Sequence, residues 1–313
     1  MKLAASRAAL FLCLGLALSG CAGSGLGDLL GGDSSGSTIA QEAKDATATS
    51  DSKASPTKAV APDMSEAEEN ESVAKLYNTG LENLKKEYYR TAAKNFDEVE
   101  RQHPYSSWAT RAILMSAYAQ YMRNSYDDAI NAAQRFISLH PGHKDAPYAY
   151  YLIAISYYEQ IEDVKRDQSS TEKALAALDE VSTRFPGTVY AQDAANKAVL
   201  ARDHLAGKEM EVGRYYLKRN SLLAAINRFK TVVTKYQTTT QVPEALYRLT
   251  EAYYALGVQS EAQTAAAVLG ANFPASHWYK DAYALLKTGG LEPQENKESW
   301  ISKAWRTIAP VGN

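Results

Sequence analysis

Past residue 21 the chain has no cysteine. The folded part therefore forms no disulfide, builds no cysteine zinc site and performs no thiol chemistry, and it must hold together by packing. There is no excess of positive charge either: 34 Lys and Arg stand against 36 Asp and Glu, a net charge of −2, which excludes an electrostatic nucleic-acid binder. The apolar run Ala8–Leu18 is well short of the roughly 20 residues a membrane-spanning helix needs. Nucleotide phosphate loops, the dinucleotide fingerprint and H-E-x-x-H are missing, so no cofactor is expected and no residue is assigned a catalytic role. Phenylalanine is scarce at six residues, whereas tyrosine reaches 21.

What is present begins with a targeting segment. Lys2 and Arg7 make a basic start, the run to Leu18 is apolar, and Leu18-Ser19-Gly20-Cys21 closes it. This ending resembles the bacterial lipobox, in which the cysteine is lipidated and becomes the new N-terminus; the other reading is an ordinary secreted protein cut nearby. Lipidation of Cys21 with several acyl chains would make a permanent anchor, because each buried CH₂ contributes about 0.8 kcal/mol. With Ala22 rather than aspartate after the cysteine, the bacterial sorting rule points to the outer membrane.

Residues 22–70 are rich in Gly, Ser, Ala, Thr and Asp and poor in large apolar side chains, a composition that reads as a disordered acidic tether. A coil of that length reaches roughly 40 Å. Beyond Glu71 the pattern becomes amphipathic helix punctuated by prolines.

Self-comparison exposes a repeat. Aligned on Pro104, Pro141, Pro186, Gln237 and Pro274, the residue twelve earlier is always alanine, from Ala92 to Ala262, and so is the residue eight later, from Ala112 to Ala282. The residue just before the anchor is always a ring: His103, His140, Phe185, Tyr236 and Phe273. Each unit is thus predicted as helix, turn, helix and proline stop, with small residues allowing close helix approach. Where Gln237 replaces proline, Thr238-Thr239-Thr240 is expected to supply the turn and N-cap. The histidine pair in Leu139–Ala149, LHPGHKDAPYA, is therefore a repeat corner, and no metal role is assigned to any histidine.

These residues resemble the tetratricopeptide repeat, whose second helix reads A-x-x-x-F with a proline twelve after the alanine. Ala92 with Phe96 and Ala225 with Phe229 match; Leu178, Ala133 and Ala266 depart. The small residue of the first helix is Gly80, Ala117, Gly213 and Thr250, with Glu162 in the third repeat only if an insertion is ignored. The resemblance implies an all-α superhelical solenoid of five helix pairs. Stops 37, 45, 51 and 37 residues apart place an insertion near Ile161–Gln168 and lengthen one helix to about Val189–Arg219, with Gly207 the expected point of any bend. The organisation read from this is repeats 1–3 over 71–187, a long helix with repeats 4–5 over 188–286, and a tail over 287–313. In the tail, Trp300, Ile301, Ala304, Trp305 and Ile308 form one stripe, either covering the last open face of the array or offered to a partner.

Taken together, signal peptide, lipobox, tether and repeats are similar to the BamD (ComL-type) lipoproteins of the outer-membrane β-barrel assembly machinery, most closely in Val212–Phe229 and in Asp145-Ala146-Pro147-Tyr148-Ala149-Tyr150-Tyr151. That resemblance implies a non-enzymatic scaffold on the periplasmic side of the outer membrane. Its implied partners are a POTRA domain of the BamA-type barrel-inserting protein, other assembly-machinery lipoproteins, and unfolded outer-membrane β-barrel proteins. Arg228, where three sister repeats carry alanine, should either pair with an acid inside the protein or reach a partner, with Arg214 and Lys218 nearby. Tyr118, Tyr121, Tyr157 and Tyr158 are the candidate substrate groove; tyrosines here either fill the core with a polar edge or line the concave face. The alternative function is another tetratricopeptide lipoprotein, such as a pilus-secretin pilotin or an adaptor for cell-wall enzymes; a third is a cell-wall hydrolase.

Overall fold

The computed structural model describes residues 64–306, with side chains from residue 71. Cys21, most of the tether and Ile308 lie outside the described residues. Two compact units divide after Lys75, and the repeats lie in the second, which begins at Leu76. Among the described residues there are twelve helices and no strand. No helix among them is long and apolar enough to cross a membrane.

In chain order the helices are α1 (Met64–Lys85), α2 (Tyr89–Gln102), α3 (Ser107–Met122), α4 (Tyr126–Leu139), α5 (Ala146–Tyr158) and α6 (Ser169–Arg184). They continue with α7 (Val189–Lys218), α8 (Leu222–Lys235), α9 (Val242–Ala255), α10 (Gln259–Asn272), α11 (His277–Thr288) and α12 (Trp300–Arg306). α1 starts at Met64, so the tether boundary expected at residue 70 falls inside a helix. Its opening residues, Ser65-Glu66-Ala67-Glu68-Glu69, explain this, since acids favour the positive end of a helix dipole and Ala and Glu propagate it.

Sequence neighbours from α2 to α11 pack as antiparallel pairs, and first helices pack on the next first helices, α3 on α5, α5 on α7 and α9 on α11. The result is the tetratricopeptide-like all-α stack that the repeat implies. The ring before each stop is the C-cap of its helix: the N–H of His103, His140, Phe185, Tyr236 and Phe273 bonds the carbonyl four residues back. Two residues past the anchor, Ser106, Thr188 and Ser276 accept the first backbone N–H groups of α3, α7 and α11. The threonine run behaves differently: Thr239 bonds back to Tyr236 O at 2.7 Å, while Thr240 is held by Asp203 of α7. The N-cap of α9 is Gln241, without a side-chain bond.

The turn inside each pair has its own signature. Seventeen residues before the stop, Glu87, Asn124, Asn220 and Gly257 all sit at positive φ, between 55° and 78°. Repeat 3 lacks this turn because its insertion, a loop between Tyr158 and Ser169, takes the place. Counted from the preceding stop, the small residue of its first helix is Ala154, fully buried with Leu178, rather than Glu162, which is exposed in the loop.

α7 runs unbroken through Gly207. The inserted loop lies on it there: Val164 Cγ1 is 3.4 Å from where a Cβ on Gly207 would be, and Lys208 Nζ donates to Lys165 O at 3.0 Å. The histidines at the second corner meet Phe136, His140 tilted and His143 edge-on, at ring distances of 5.6 and 5.5 Å.

Candidate partner-binding faces

Tyrosines gather across the first helices α3, α5 and α7. Tyr148 lies 5.5 Å and Tyr151 lies 5.3 Å from the ring of Tyr190. Tyr151 donates its hydroxyl to Asp193 Oδ2 at 2.5 Å, and Lys197, bonded to the same oxygen, lies over Tyr158. Tyr118 and Tyr121 extend the belt along α3, near enough to Tyr148 for their phenols to influence its ionisation. Burial is the first cause that raises the pKa of every one of these phenols; at Tyr151 the hydrogen bond to Asp193 adds to it, and at Tyr121 the charge of Glu159 does. They remain neutral well into the alkaline range; Tyr148 is buried beneath the others, and the five half-buried ones present ring faces together with hydroxyls. Such a surface suits an extended polypeptide, because it offers wide apolar area and hydrogen bonds with few torsions to freeze.

Three of the four tyrosines singled out from sequence, Tyr118, Tyr121 and Tyr158, belong to this belt. Tyr157 does not: one position along α5 is about 100° round the helix, and Tyr157 lines a groove between α4 and α6. Tyr148 and Tyr151, in the same tyrosine-rich run as Tyr158, join the belt, as does Tyr190, for which the sequence carries no signal; Tyr151 and Tyr158 are seven apart on one stripe.

The later first helices carry charge instead. Arg214 of α7 bonds Glu211 at 2.6 Å and reaches Glu244 of α9 at 2.8 Å. Arg248 bonds Glu244 and Glu251, and its guanidinium covers the stacked rings of Tyr247 and Trp278. The Arg214 guanidinium holds the Glu211 carboxyl below its ordinary pKa. Lys218 is exposed one turn on.

Arg228 on α8 pairs with Glu209 of α7 at 3.3 Å and keeps 45% of its side chain exposed. It therefore has an acid partner within the protein and an open flank at once. Glu209 and Arg214 are five positions apart on α7, about 140° round the helix, so the Arg228 pair and the Arg214 network occupy different faces. The three residues expected together do not form one patch.

The tail folds back. Gln263, Thr264 and Glu261 of α10 bond residues 292–299, and α12 lies against α8 and α10, with Ile301 fully buried. Trp300 Nε1 donates to Tyr253 at 3.0 Å, Lys230 covers the Trp300 ring, and Trp305 meets Phe273 edge on. The tail is thus docked across repeats 4 and 5 rather than over the end of the array.

Residues 69–269 match the family YfiO, described as outer membrane lipoprotein. The chain belongs to this family. It is 55% identical over 225 residues to the outer membrane protein assembly factor BamD of Caulobacter vibrioides, covering 72% of this chain and 74% of the relative. The BamD of Rickettsia prowazekii is 47% identical over 215 residues, 69% of this chain and 86% of the relative. That of Neisseria meningitidis serogroup A is 35% identical over 222 residues, 68% and 83%. The family match takes in both the tyrosine belt and the Arg228 pair and stops within α10, so the docked tail lies beyond it.

Proposed function

We propose that the chain is a non-enzymatic scaffold for outer-membrane protein assembly, anchored through lipids on Cys21 at the periplasmic side of the outer membrane. The tyrosine belt on α3, α5 and α7 receives an extended segment of an unfolded outer-membrane β-barrel protein. Arg228, with Glu209 beside it, docks a POTRA domain of the barrel-inserting protein, and Arg214 with Lys218 forms a second polar contact on the neighbouring face. The observation that carries this reading is the belt itself: five half-buried neutral phenols around the buried Tyr148, spanning three successive repeats, on a chain whose relatives are named outer membrane protein assembly factors.

A groove of this kind needs no catalytic group. It holds a client by side-chain contacts and releases it without unfolding the host. Depletion of the chain in cells tests the role: loss of many outer-membrane barrel proteins supports it, whereas loss of a pilus secretin alone contradicts it.

A further inference from the structure

The docking of the tail reveals a second site of the same build. Where the tail crosses repeats 4 and 5, Asn296 N donates to Thr264 Oγ1, and Val233 and Ala265 share a buried cluster with Ile301; Val233, Thr264 and Ala265 are all 0% exposed. Counted from the stops, the same positions of repeats 2 and 3 are Ile137, Ala176 and Ala177. These line an open groove of about 440 Å³ between α4 and α6. Its floor tyrosine, Tyr157, stands sixteen residues past Pro141, as Tyr253 stands past Gln237. Tyr253 is the acceptor of the Trp300 indole.

The two remaining grooves between second helices are built otherwise. Between α2 and α4, Arg135 and Glu100 form an ion pair at 2.7 Å where repeats 4 and 5 carry Val268 and Val233. Between α6 and α8, Arg202 pairs with Asp179 and Arg228 with Glu209. The α4–α6 groove is lined mainly by Ile137, Ile153, Tyr157, Ala176 and Ala177, with Lys173 and Glu180 of α6 as its charged residues, and the chain's own helix fills the corresponding α8–α10 groove.

We propose that the α4–α6 groove is a docking site for a short amphipathic helix of a partner protein, seated as α12 is seated across α8 and α10. Charge decides the occupant. In the filled groove Ser299 donates to the carboxylate of Glu261; the equivalent position in the open groove is Lys173. The partner helix therefore presents a carboxylate to Lys173, an apolar side chain to Ala176 and Ala177, and a ring N–H to Tyr157. The tail of a second copy is a poor match, because the residue that would face Lys173 is Ser299 and the neighbouring acids Glu298 and Glu295 already pair with Lys303 and Arg306.

The test uses the full-length chain and a fluorescein-labelled peptide of residues 294–308 carrying Ser299→Glu. Saturable binding at one peptide per chain is expected, weakened at least tenfold by Ala176→Arg and by Lys173→Glu. Ala176 is exposed, so its variant keeps the fold, which circular dichroism checks. A peptide with Ser299→Lys should regain binding to the Lys173→Glu chain. The proposal is overturned by absence of saturable binding, by binding indifferent to Ala176→Arg, or by binding that responds instead to Glu261→Lys, which would mean displacement of the native tail. A dimer of the full-length chain abolished by Ala176→Arg would make the occupant a second copy and overturn it as well.

Discussion

At Gly80 and Gly213 the space of a missing side chain is taken by a ring. A Cβ on Gly80 would stand 2.7 Å from Phe96 Cε1, and one on Gly213 would fall on Phe229. This is why the two repeats with phenylalanine in the second helix carry glycine in the first, while Ala117 faces Ala133's repeat and Thr250 faces Ala266's. Gly213→Ala should lower stability by about 2 kcal/mol through overpacking, read as a shift of the urea midpoint with unchanged m-value. The opposite sign is expected at Glu87, whose φ of 61° is costly for a side chain bearing a Cβ. Glu87→Gly should stabilise by up to about 1 kcal/mol in the same assay. Single residues also show what sequence could and could not reveal about the site. Tyr118, Tyr121 and Tyr158 were legible as groove candidates, but Tyr157, one residue before Tyr158, is turned about 100° round α5 into the α4–α6 groove. Arg228 stood out against the alanines at its position, yet its partner Glu209 lies nineteen residues away on another helix, a pairing no spacing rule supplies.

Among the elements, the repeat pattern fixes almost all boundaries because stop, ring and small residue recur at constant offsets. The long helix, expected over about Val189–Arg219, is Val189–Lys218. The tail was legible as an amphipathic stripe, but its landing place was not: that depends on an apolar groove shared by α8 and α10, which are brought together only by folding. Ile301→Ala removes a fully buried side chain and should cost about 2–4 kcal/mol locally, releasing α12. Hydrogen exchange of residues 292–306 should then accelerate while that of α3 to α6 stays unchanged, since stacked repeats contact only their neighbours.

For the whole molecule, the buried phenols couple stability to alkaline pH. Tyr77 is pushed up to about 12 by burial, and the belt tyrosines are raised for the same first reason. A phenol that stays protonated in the fold but ionises in the unfolded chain contributes stability that is fully present below pH 10 and is lost as pH rises beyond it. For Tyr77 alone the loss approaches roughly 3 kcal/mol by pH 12. Tyrosinate absorbance should therefore rise in two phases, exposed phenols first, and the second phase should coincide with loss of helical circular dichroism.

The central claim is that the tyrosine belt receives the client and the Arg228 face receives the barrel-inserting protein. Photo-crosslinking from positions 118, 121 and 158, and separately from position 228, tests it most directly in cells. Adducts to unfolded outer-membrane barrel proteins from the three belt positions, and to a POTRA domain from position 228, are the expected result. Belt positions that trap no barrel protein, or a position 228 whose crosslinks stay within the chain, would contradict it.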